Sequence, residues 1–310
     1  MQEVLMYFGL FVISLTVLLK ASDLFIDSAE KIGLAVGIPP FIIGVTIVAF
    51  GTSLPELATA IVSVLKNESE LVVSTVIGSN VTNIALVLGL VAVIVKNIDL
   101  EYNIWHSDMP HLWGSAFMFW LVLSDFQVST LEAILLLFGI IIFLAHTFKS
   151  DDKQDNNEEK VKVGWKTYLF LLIGGFLVYL GADYTVFSII KLSAYAGIES
   201  KIIGLSAVAL GTSLPEIIVS LNAARKGKTS IAVGNVLGSN IFNTYIVIGI
   251  PALIGPLTIP DDINFFYLPL MLVMTILFGV MSNNKNFSRS EGFVLLLFYA
   301  FFLTEMFKGI

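Results

Sequence analysis

The chain has 310 residues, of which 56% are hydrophobic and only 13% are charged, and its formal net charge is −7. A soluble domain of average composition carries roughly 25% charged residues, so this composition excludes an ordinary soluble protein. Cysteine is absent, which excludes disulfide bonds and thiolate metal sites, and no basic patch alternates with aromatic residues as in a nucleic-acid-binding surface.

Long apolar runs follow one another along the chain, and a membrane-spanning helix needs about 20 mostly apolar residues. The runs predict an all-α integral membrane protein with ten transmembrane helices. In chain order we expect helices over residues 4–33, 40–66, 71–95, 110–125, 129–148, 166–194, 200–225, 230–255, 264–282 and 290–307. Residues 149–165 are polar and acidic, without an apolar period, and are predicted to form a linker.

The two halves of the chain repeat each other. A shift of 160 residues aligns GTSLPE at 51–56 with GTSLPE at 211–216, and GSN at 78–80 with GSN at 238–240. We expect one five-helix repeat over 1–148, with its motif region at 42–90, and a second over 166–310, with its motif region at 202–250. Five spans per repeat is an odd number, so the second repeat enters the membrane upside down and a pseudo-twofold axis lies in the membrane plane.

The distribution of lysine and arginine predicts the orientation, because cytoplasmic loops are enriched in these residues. With the linker 149–165 in the cytoplasm, most of the loop cations fall inside. They are Lys31, Lys96, Lys149, Lys153, Lys160, Lys162, Lys166, Arg225, Lys226, Lys228, Lys285 and Arg289. Lys66, Lys191, Lys201 and Lys308 fall outside. We therefore expect a multi-pass protein of the cell membrane with an extracellular N-terminus.

Each copy of GTSLPE contains a proline inside a predicted helix. Proline removes a backbone donor and clashes with the carbonyl four residues earlier, which is Gly51 for Pro55 and Gly211 for Pro215. Helices 2 and 7 are therefore predicted to be broken near these glycines. Free carbonyl oxygens at membrane depth are tolerated only inside protein or beside a wet cavity, where cations can bind them.

Oxygen-bearing side chains lie at helical spacing around these points. Thr52 and Glu56 are four residues apart and share a helix face, with Ser53 close by, and Ser79 and Asn83 are four apart on the next helix. The second half supplies Thr212, Ser213, Glu216, Ser239 and Asn243 at the same spacing. Carboxylates at the centre of a membrane are costly and indicate function. An all-oxygen shell with two glutamates suits Ca²⁺, with Na⁺ able to compete for the same oxygens.

The motif pairs GTSLPE…GSNVTN (51–56, 78–83) and GTSLPE…GSNIFN (211–216, 238–243) resemble the two alpha-repeats of the cation/calcium exchanger superfamily. The resemblance is closest to prokaryotic sodium/calcium exchangers and covers nearly the whole chain. It implies export of cytosolic Ca²⁺ in exchange for extracellular Na⁺ by alternating access. It implies no enzyme activity, no cofactor besides the transported ions, and no obligatory protein partner or nucleic acid.

The resemblance also implies roles for individual residues. Glu56 and Glu216 would bridge Ca²⁺ and share the Na⁺ sites, and Thr52 and Thr212 would contribute backbone oxygens to Ca²⁺. The flanking Na⁺ sites would be lined by Ala49, Ser53, Ser79, Ala209, Ser213 and Ser239, and the middle by Asn83 and Asn243. Position 243 departs from some archaeal and potassium-dependent relatives, which carry aspartate there, and this argues against K⁺ co-transport.

Several alternatives are compatible with the same residues. A Ca²⁺/H⁺ antiporter, or a potassium-dependent variant, could use the same scaffold, although the many hydroxyl oxygens favour Na⁺. A passive Ca²⁺ channel would need no counter-ion. An intramembrane hydrolase is disfavoured, because the membrane centres lack histidine and paired aspartates. The matched pair Asp23 and Asp183 is expected to serve helix packing rather than ion binding.

Overall fold

The structure is a computed structural model of the chain. It describes residues 2–67, 69–95, 97–99, 105, 108–149, 163–195, 211–261, 263–283 and 286–308, most of which are helical. Helices within these ranges are numbered in chain order. They are α1 Gln2–Ala35, α2 Pro40–Leu65, α3 Glu70–Val95, α4 Met109–Leu123, α5 Thr130–Lys149, α6 Trp165–Tyr195, α7 Leu214–Arg225, α8 Thr229–Ile254, α9 Ile263–Ser282 and α10 Arg289–Lys308.

Seven of the described helices are long and apolar enough to cross a membrane, namely α1, α2, α3, α5, α6, α8 and α9. Helix α4 is a shorter apolar helix of 15 residues. The prediction of a mainly helical membrane protein is confirmed. Part of the predicted seventh helix, residues 200–210, lies outside the described residues, as does nearly all of the predicted linker 149–165. The count of ten spans therefore stays a prediction.

The predicted break of the second helix near Gly51 is wrong. Helix α2 is helical through Gly51 and Pro55, and its irregular part is a π-helical segment, Gly44–Val48, that comes earlier. In membrane helices, π adjustments and hydroxyl side chains can satisfy the backbone groups that proline disturbs. The helix therefore continues past Pro55 without unwinding.

The second copy of the motif has a different conformation. Thr212 and Ser213 form a turn directly after Gly211, and α7 begins at Leu214 with Pro215 in its first turn. Proline is well tolerated there, because its missing N–H would have no partner within the helix. The predicted interruption near Gly211 is confirmed. The same six-residue sequence therefore lies within a continuous helix in the first half and at the start of a helix in the second half.

Two further π-helical segments lie at matched places in the halves. One covers Thr82–Leu88 in α3 and the other covers Asn243–Val247 in α8. Asn83 and Asn243 lie at the beginning of these segments. π-helical turns occur frequently at functional sites. The sequence pattern did not predict them.

The expectation of an all-α chain is wrong in one detail. Strand β1, Asn97–Asp99, pairs with strand β2, Asn286–Ser288, in an antiparallel ladder. Ile98 lies opposite Phe287, and both side chains are buried. Three residues are too few to show the alternation by which a strand is recognised in a sequence.

Helix α8 lies at the centre of the described structure and crosses α2 at very short range. A Cβ atom placed on Gly234 would lie 2.9 Å from the backbone nitrogen of Val45, and one placed on Gly238 would lie 2.6 Å from the Cβ of Ala49. Helices α1 and α6 pack along each other beside this pair. The crossing of α2 and α8 places the two motif regions face to face.

Candidate cation-binding site

The polar side chains of the two motif copies meet where α2, α3, α7 and α8 converge. Those that the structure buries are at most 4% exposed: Thr52, Ser53, Glu56, Ser79, Asn83, Ser213, Glu216, Ser239 and Asn243. Ala49 is also buried, Thr212 is partly exposed, and Ala209 lies outside the described residues. The two glutamates therefore face the protein interior rather than lipid.

Hydrogen bonds connect the two halves directly. Ser53 Oγ donates to Glu216 Oε1 at 3.4 Å, which brings Glu216 to the face of α2 that carries Glu56 one turn further on. Thr52 Oγ1 and Ser239 Oγ lie 3.4 Å apart. The equivalent contact in the other repeat, between Thr212 and Ser79, measures 3.3 Å between the hydroxyl oxygens. The structure therefore brings polar side chains of the two motif copies together.

The cluster contains buried oxygen atoms that make no hydrogen bond of acceptable geometry to a described residue. They are Glu56 Oε1, Glu56 Oε2, Glu216 Oε2, Asn83 Oδ1 and Asn243 Oδ1. All five are acceptors, and they belong to carboxylate and amide groups, which are common ligands of hard cations. Burying an ionised carboxylate without a partner costs far more than burying it beside a cation. The arrangement therefore fits a bound cation.

A cation here would be held by a mixed set of oxygens. No group of three or more His, Asp or Glu side chains lies close enough to hold a metal ion within the described ranges. The two carboxylates would therefore need amide, hydroxyl and backbone oxygens to complete the shell. Such a shell suits Ca²⁺ or Na⁺ better than Zn²⁺, which prefers nitrogen and sulfur ligands.

Sequence reasoning missed three buried asparagines that bond to the predicted residues. Asn83 Nδ2 donates to Asn240 Oδ1 at 3.2 Å, and Asn243 Nδ2 donates to Asn80 Oδ1 at 3.2 Å. Asn235 Oδ1 lies 3.1 Å from Thr52 Oγ1. The matching of Asn80 and Asn240 across the repeats was a signal for the first two. Asn235 gave none, because the repeat has threonine at the corresponding position.

A cavity of about 310 Å³ lies beside the cluster. It is lined by residues of α2, α3 and α6 and by the segment that leads into α7, including Thr59, Thr75, Asp183, Thr212 and Pro215. Thr212 thus touches both the cavity and the hydroxyl of Ser79. Ser63 near the end of α2 and Leu71 near the start of α3 also line it, so the cavity lies at that end of the helix bundle.

A shift of 160 residues relates the residues that line this cavity to residues at the other end of the bundle. Ion pairs join side chains at that end. Lys226 Nζ lies 3.0 Å from Asp23 Oδ1 and 3.0 Å from Asp27 Oδ2. Lys228 Nζ lies 2.6 Å from Asp27 Oδ1 and 2.7 Å from Glu30 Oε2. Burial alone would lower the pKa of Lys228, but its bonds to Asp27 and Glu30 outweigh burial and raise the pKa above its ordinary value. These pairs hold α1 against the α7–α8 connection.

The chain is similar to known membrane proteins, one of them named as a sodium/calcium exchanger, over nearly its full length. The family model described as "Sodium/calcium exchanger protein" matches residues 6–149 and 166–308. The sodium/calcium exchanger MaX1 of Methanosarcina acetivorans is 32% identical, with 97% of this chain and 98% of that protein covered. The inner membrane protein YrbG of Escherichia coli is 32% identical, with 93% and 92% covered.

Solved structures agree with the sequence comparisons. A structure of the sodium-calcium exchanger NCX_Mj, soaked with Na⁺ and Sr²⁺, superimposes with a TM-score of 0.85 at 29% identity. It covers 97% of this chain, and 99% of that chain is covered in return. The family match spans both motif copies and the helices that carry the buried glutamates. The chain therefore belongs to the sodium/calcium exchanger family.

Proposed function

We propose that this protein is a secondary antiporter that exports cytosolic Ca²⁺ in exchange for extracellular Na⁺ by alternating access. The observation that supports this most is the buried set of unpartnered acceptor oxygens contributed by both halves of the chain. Two ionised glutamates carry the charge needed to neutralise one Ca²⁺. The same oxygens could be shared among several Na⁺ ions when Ca²⁺ leaves.

Each predicted residue has a role in this exchange. Glu56 and Glu216 bridge the Ca²⁺, and Thr52 and Thr212 supply backbone oxygens to it. Asn83 and Asn243 line the middle of the site. The flanking Na⁺ positions are lined by Ala49, Ser53, Ser79, Ala209, Ser213 and Ser239.

We propose ten spans arranged as two inverted five-helix repeats. The difference between the two ends of the bundle supports alternating access, in which the site opens to one side of the membrane at a time. In the cavity, Thr59 is exposed, whereas Val219, its counterpart in the second repeat, is fully buried. Asp183 lines the cavity, whereas Asp23 is paired with Lys226. Inverted repeats in two different conformations would produce this pattern. With an extracellular N-terminus, the open cavity faces outside.

Single cysteines should report this asymmetry, because the chain itself has no cysteine. We expect Thr59→Cys to react with a membrane-impermeant maleimide more than about tenfold faster than the buried Val219→Cys. Neutralising the ion pairs with Lys226→Gln and Lys228→Gln should accelerate labelling of Val219→Cys from the cytoplasmic side and slow labelling of Thr59→Cys. The measurement is the labelling rate in right-side-out and inside-out vesicles.

The matched positions provide the control, because both cysteines replace residues at equivalent places in the two repeats. Exposed ion pairs are individually worth about 0–1 kcal/mol, but four of them together can bias an equilibrium between two conformations. Equal labelling of the two cysteines, or labelling that ignores the lysine substitutions, would contradict alternating access at these two ends.

Counter-ion dependence tests the proposed exchange directly. We expect ⁴⁵Ca²⁺ uptake into vesicles loaded with Na⁺ when the outside is Na⁺-free and the pH is clamped on both sides. A Ca²⁺/H⁺ antiporter would instead follow a pH gradient in the absence of Na⁺, and a potassium-dependent variant would require K⁺ together with Ca²⁺. Flux without any counter-ion would indicate a channel.

A further inference from the structure

Two amide–amide hydrogen bonds cross between the halves inside the site. Asn80 Oδ1 accepts from Asn243 Nδ2, and Asn240 Oδ1 accepts from Asn83 Nδ2, each at 3.2 Å. In both pairs the remaining carbonyl oxygen, Asn243 Oδ1 or Asn83 Oδ1, makes no hydrogen bond to a described residue. In Asn83 and Asn243, the amino group of the side chain therefore bonds to protein, and the carbonyl oxygen is available to a ligand.

The orientation of an asparagine amide decides whether it attracts or repels a cation. Its carbonyl oxygen is an acceptor and its amino group is a donor, and a 180° rotation exchanges the two. For Asn243, such a rotation would replace a ligand oxygen by hydrogen atoms that carry partial positive charge. A fixed acceptor opposite the amino group of Asn243 prevents the rotation.

The orientation of Asn80 itself is set by its other neighbours. Asn80 Nδ2 lies 3.2 Å from Thr244 Oγ1 and 3.6 Å from Met271 Sδ. A thioether sulfur can only accept, so the amino group of Asn80 must face Met271. Asn80 Oδ1 must then face Asn243. Asn240 lacks such a constraint, because its Nδ2 has no hydrogen-bond partner among the described residues.

We infer that Asn80 is a positioning residue: through Asn243 it keeps an amide oxygen, rather than an amino group, turned toward the bound cation. This inference rests on the proposed function, since it needs a cation in the cluster. Asn80 does not itself bind the ion. Met271 and Thr244 orient Asn80, Asn80 orients Asn243, and Asn243 supplies the oxygen.

The test measures Ca²⁺ affinity by titration calorimetry of the purified full chain in Na⁺-free detergent buffer. Asn80→Leu removes the acceptor and should weaken Ca²⁺ binding about fivefold to tenfold, as expected for one lost orienting hydrogen bond. Asn80→Asp keeps an acceptor at nearly the same place and should leave the dissociation constant within twofold or make it tighter. Asn264→Leu removes an amide that donates to Leu123 O at 3.0 Å, away from the cluster, and serves as the control.

A double-mutant cycle separates positioning from simple packing. A carboxylate has two equivalent oxygens, so Asn243→Asp needs no partner to orient it. In that background Asn80→Leu should change the Ca²⁺ dissociation constant less than twofold, whereas a loss of packing would weaken binding equally in both backgrounds. Equal weakening, an unchanged affinity in Asn80→Leu alone, or weakening in Asn80→Asp comparable to that in Asn80→Leu would overturn the inference. A wild-type protein that does not bind Ca²⁺ would overturn the proposed function itself.

Discussion

Replacing either buried glutamate by glutamine, Glu56→Gln or Glu216→Gln, is expected to abolish Ca²⁺ transport. Two unit charges 4 Å apart attract each other by about 4 kcal/mol at an effective dielectric constant of 20, and the double charge of Ca²⁺ doubles this value. Even half of the doubled attraction corresponds to roughly a thousandfold loss of affinity. The measurement is ⁴⁵Ca²⁺ uptake driven by a Na⁺ gradient in reconstituted vesicles.

The same substitutions distinguish a binding defect from misfolding. An amide costs less to bury than an ionised carboxylate without a partner, so both variants should be at least as stable as the wild type in cation-free buffer. Glu132→Gln is a matched control outside the cluster, because the Glu132 carboxylate accepts from Ser129 N at 2.8 Å and from Ser129 Oγ at 2.7 Å, and glutamine keeps an acceptor oxygen there. Near-normal uptake by either buried variant would remove that glutamate from the site.

Two glycines in equivalent motif positions should respond in opposite ways to alanine. A Cβ atom on Gly238 would overlap the carbonyl oxygen of Val45 and lie 2.6 Å from the Cβ of Ala49, whereas one on Gly78 would meet no atom within 4 Å. Overpacking typically costs about 1–3 kcal/mol, and the backbone contact places Gly238→Ala at the upper end. Gly78→Ala should be neutral or stabilising by up to about 1 kcal/mol, since glycine is unfavourable within a helix.

Thermal unfolding of the detergent-solubilised variants, followed by size-exclusion chromatography, checks this pair. The expected result is a large loss of folded protein for Gly238→Ala and a midpoint at or above the wild type for Gly78→Ala. The two variants share their neighbours in the sequence, Ser and Asn, so composition does not explain a difference. A similar effect of both substitutions would contradict the close crossing of α2 and α8.

The polar cluster could be predicted from the sequence because polar residues in long apolar helices are few and costly. Glu56 aligns with Glu216, and Asn83 with Asn243, when the two halves are aligned with a shift of 160 residues. Helical spacing placed them on shared faces, and the structure brings the two halves together through Ser53 and Glu216. The membrane-spanning helices were recognisable for the same reason, since apolar length is a direct requirement of the bilayer.

What the sequence could not predict is where the halves differ. The same GTSLPE letters form a continuous helix at 51–56 and a turn before a helix at 211–216. Local propensity is identical in the two copies, so the difference must come from tertiary contacts with the surrounding helices. The ion pairs of Lys226 and Lys228 likewise depend on residues some 200 positions away on α1. Such contacts are visible only once the helices are placed in space.

The π-helical segments give α3 and α8 two successive phases along a single axis. One additional residue in a turn rotates everything beyond it by about 100°, because an α-helix advances 3.6 residues per turn. In α8 the part before Asn243 packs against α2 and α7, whereas Ile248–Ile254 packs against α5 in addition to α2. In α3, Glu70–Val81 packs against α2 and α9, whereas the residues from Thr82 to Val95 pack against α7 and α10. Each of these helices therefore gains new packing partners near its asparagine, so that one helix contributes side chains to the polar cluster and also packs against helices outside the cluster.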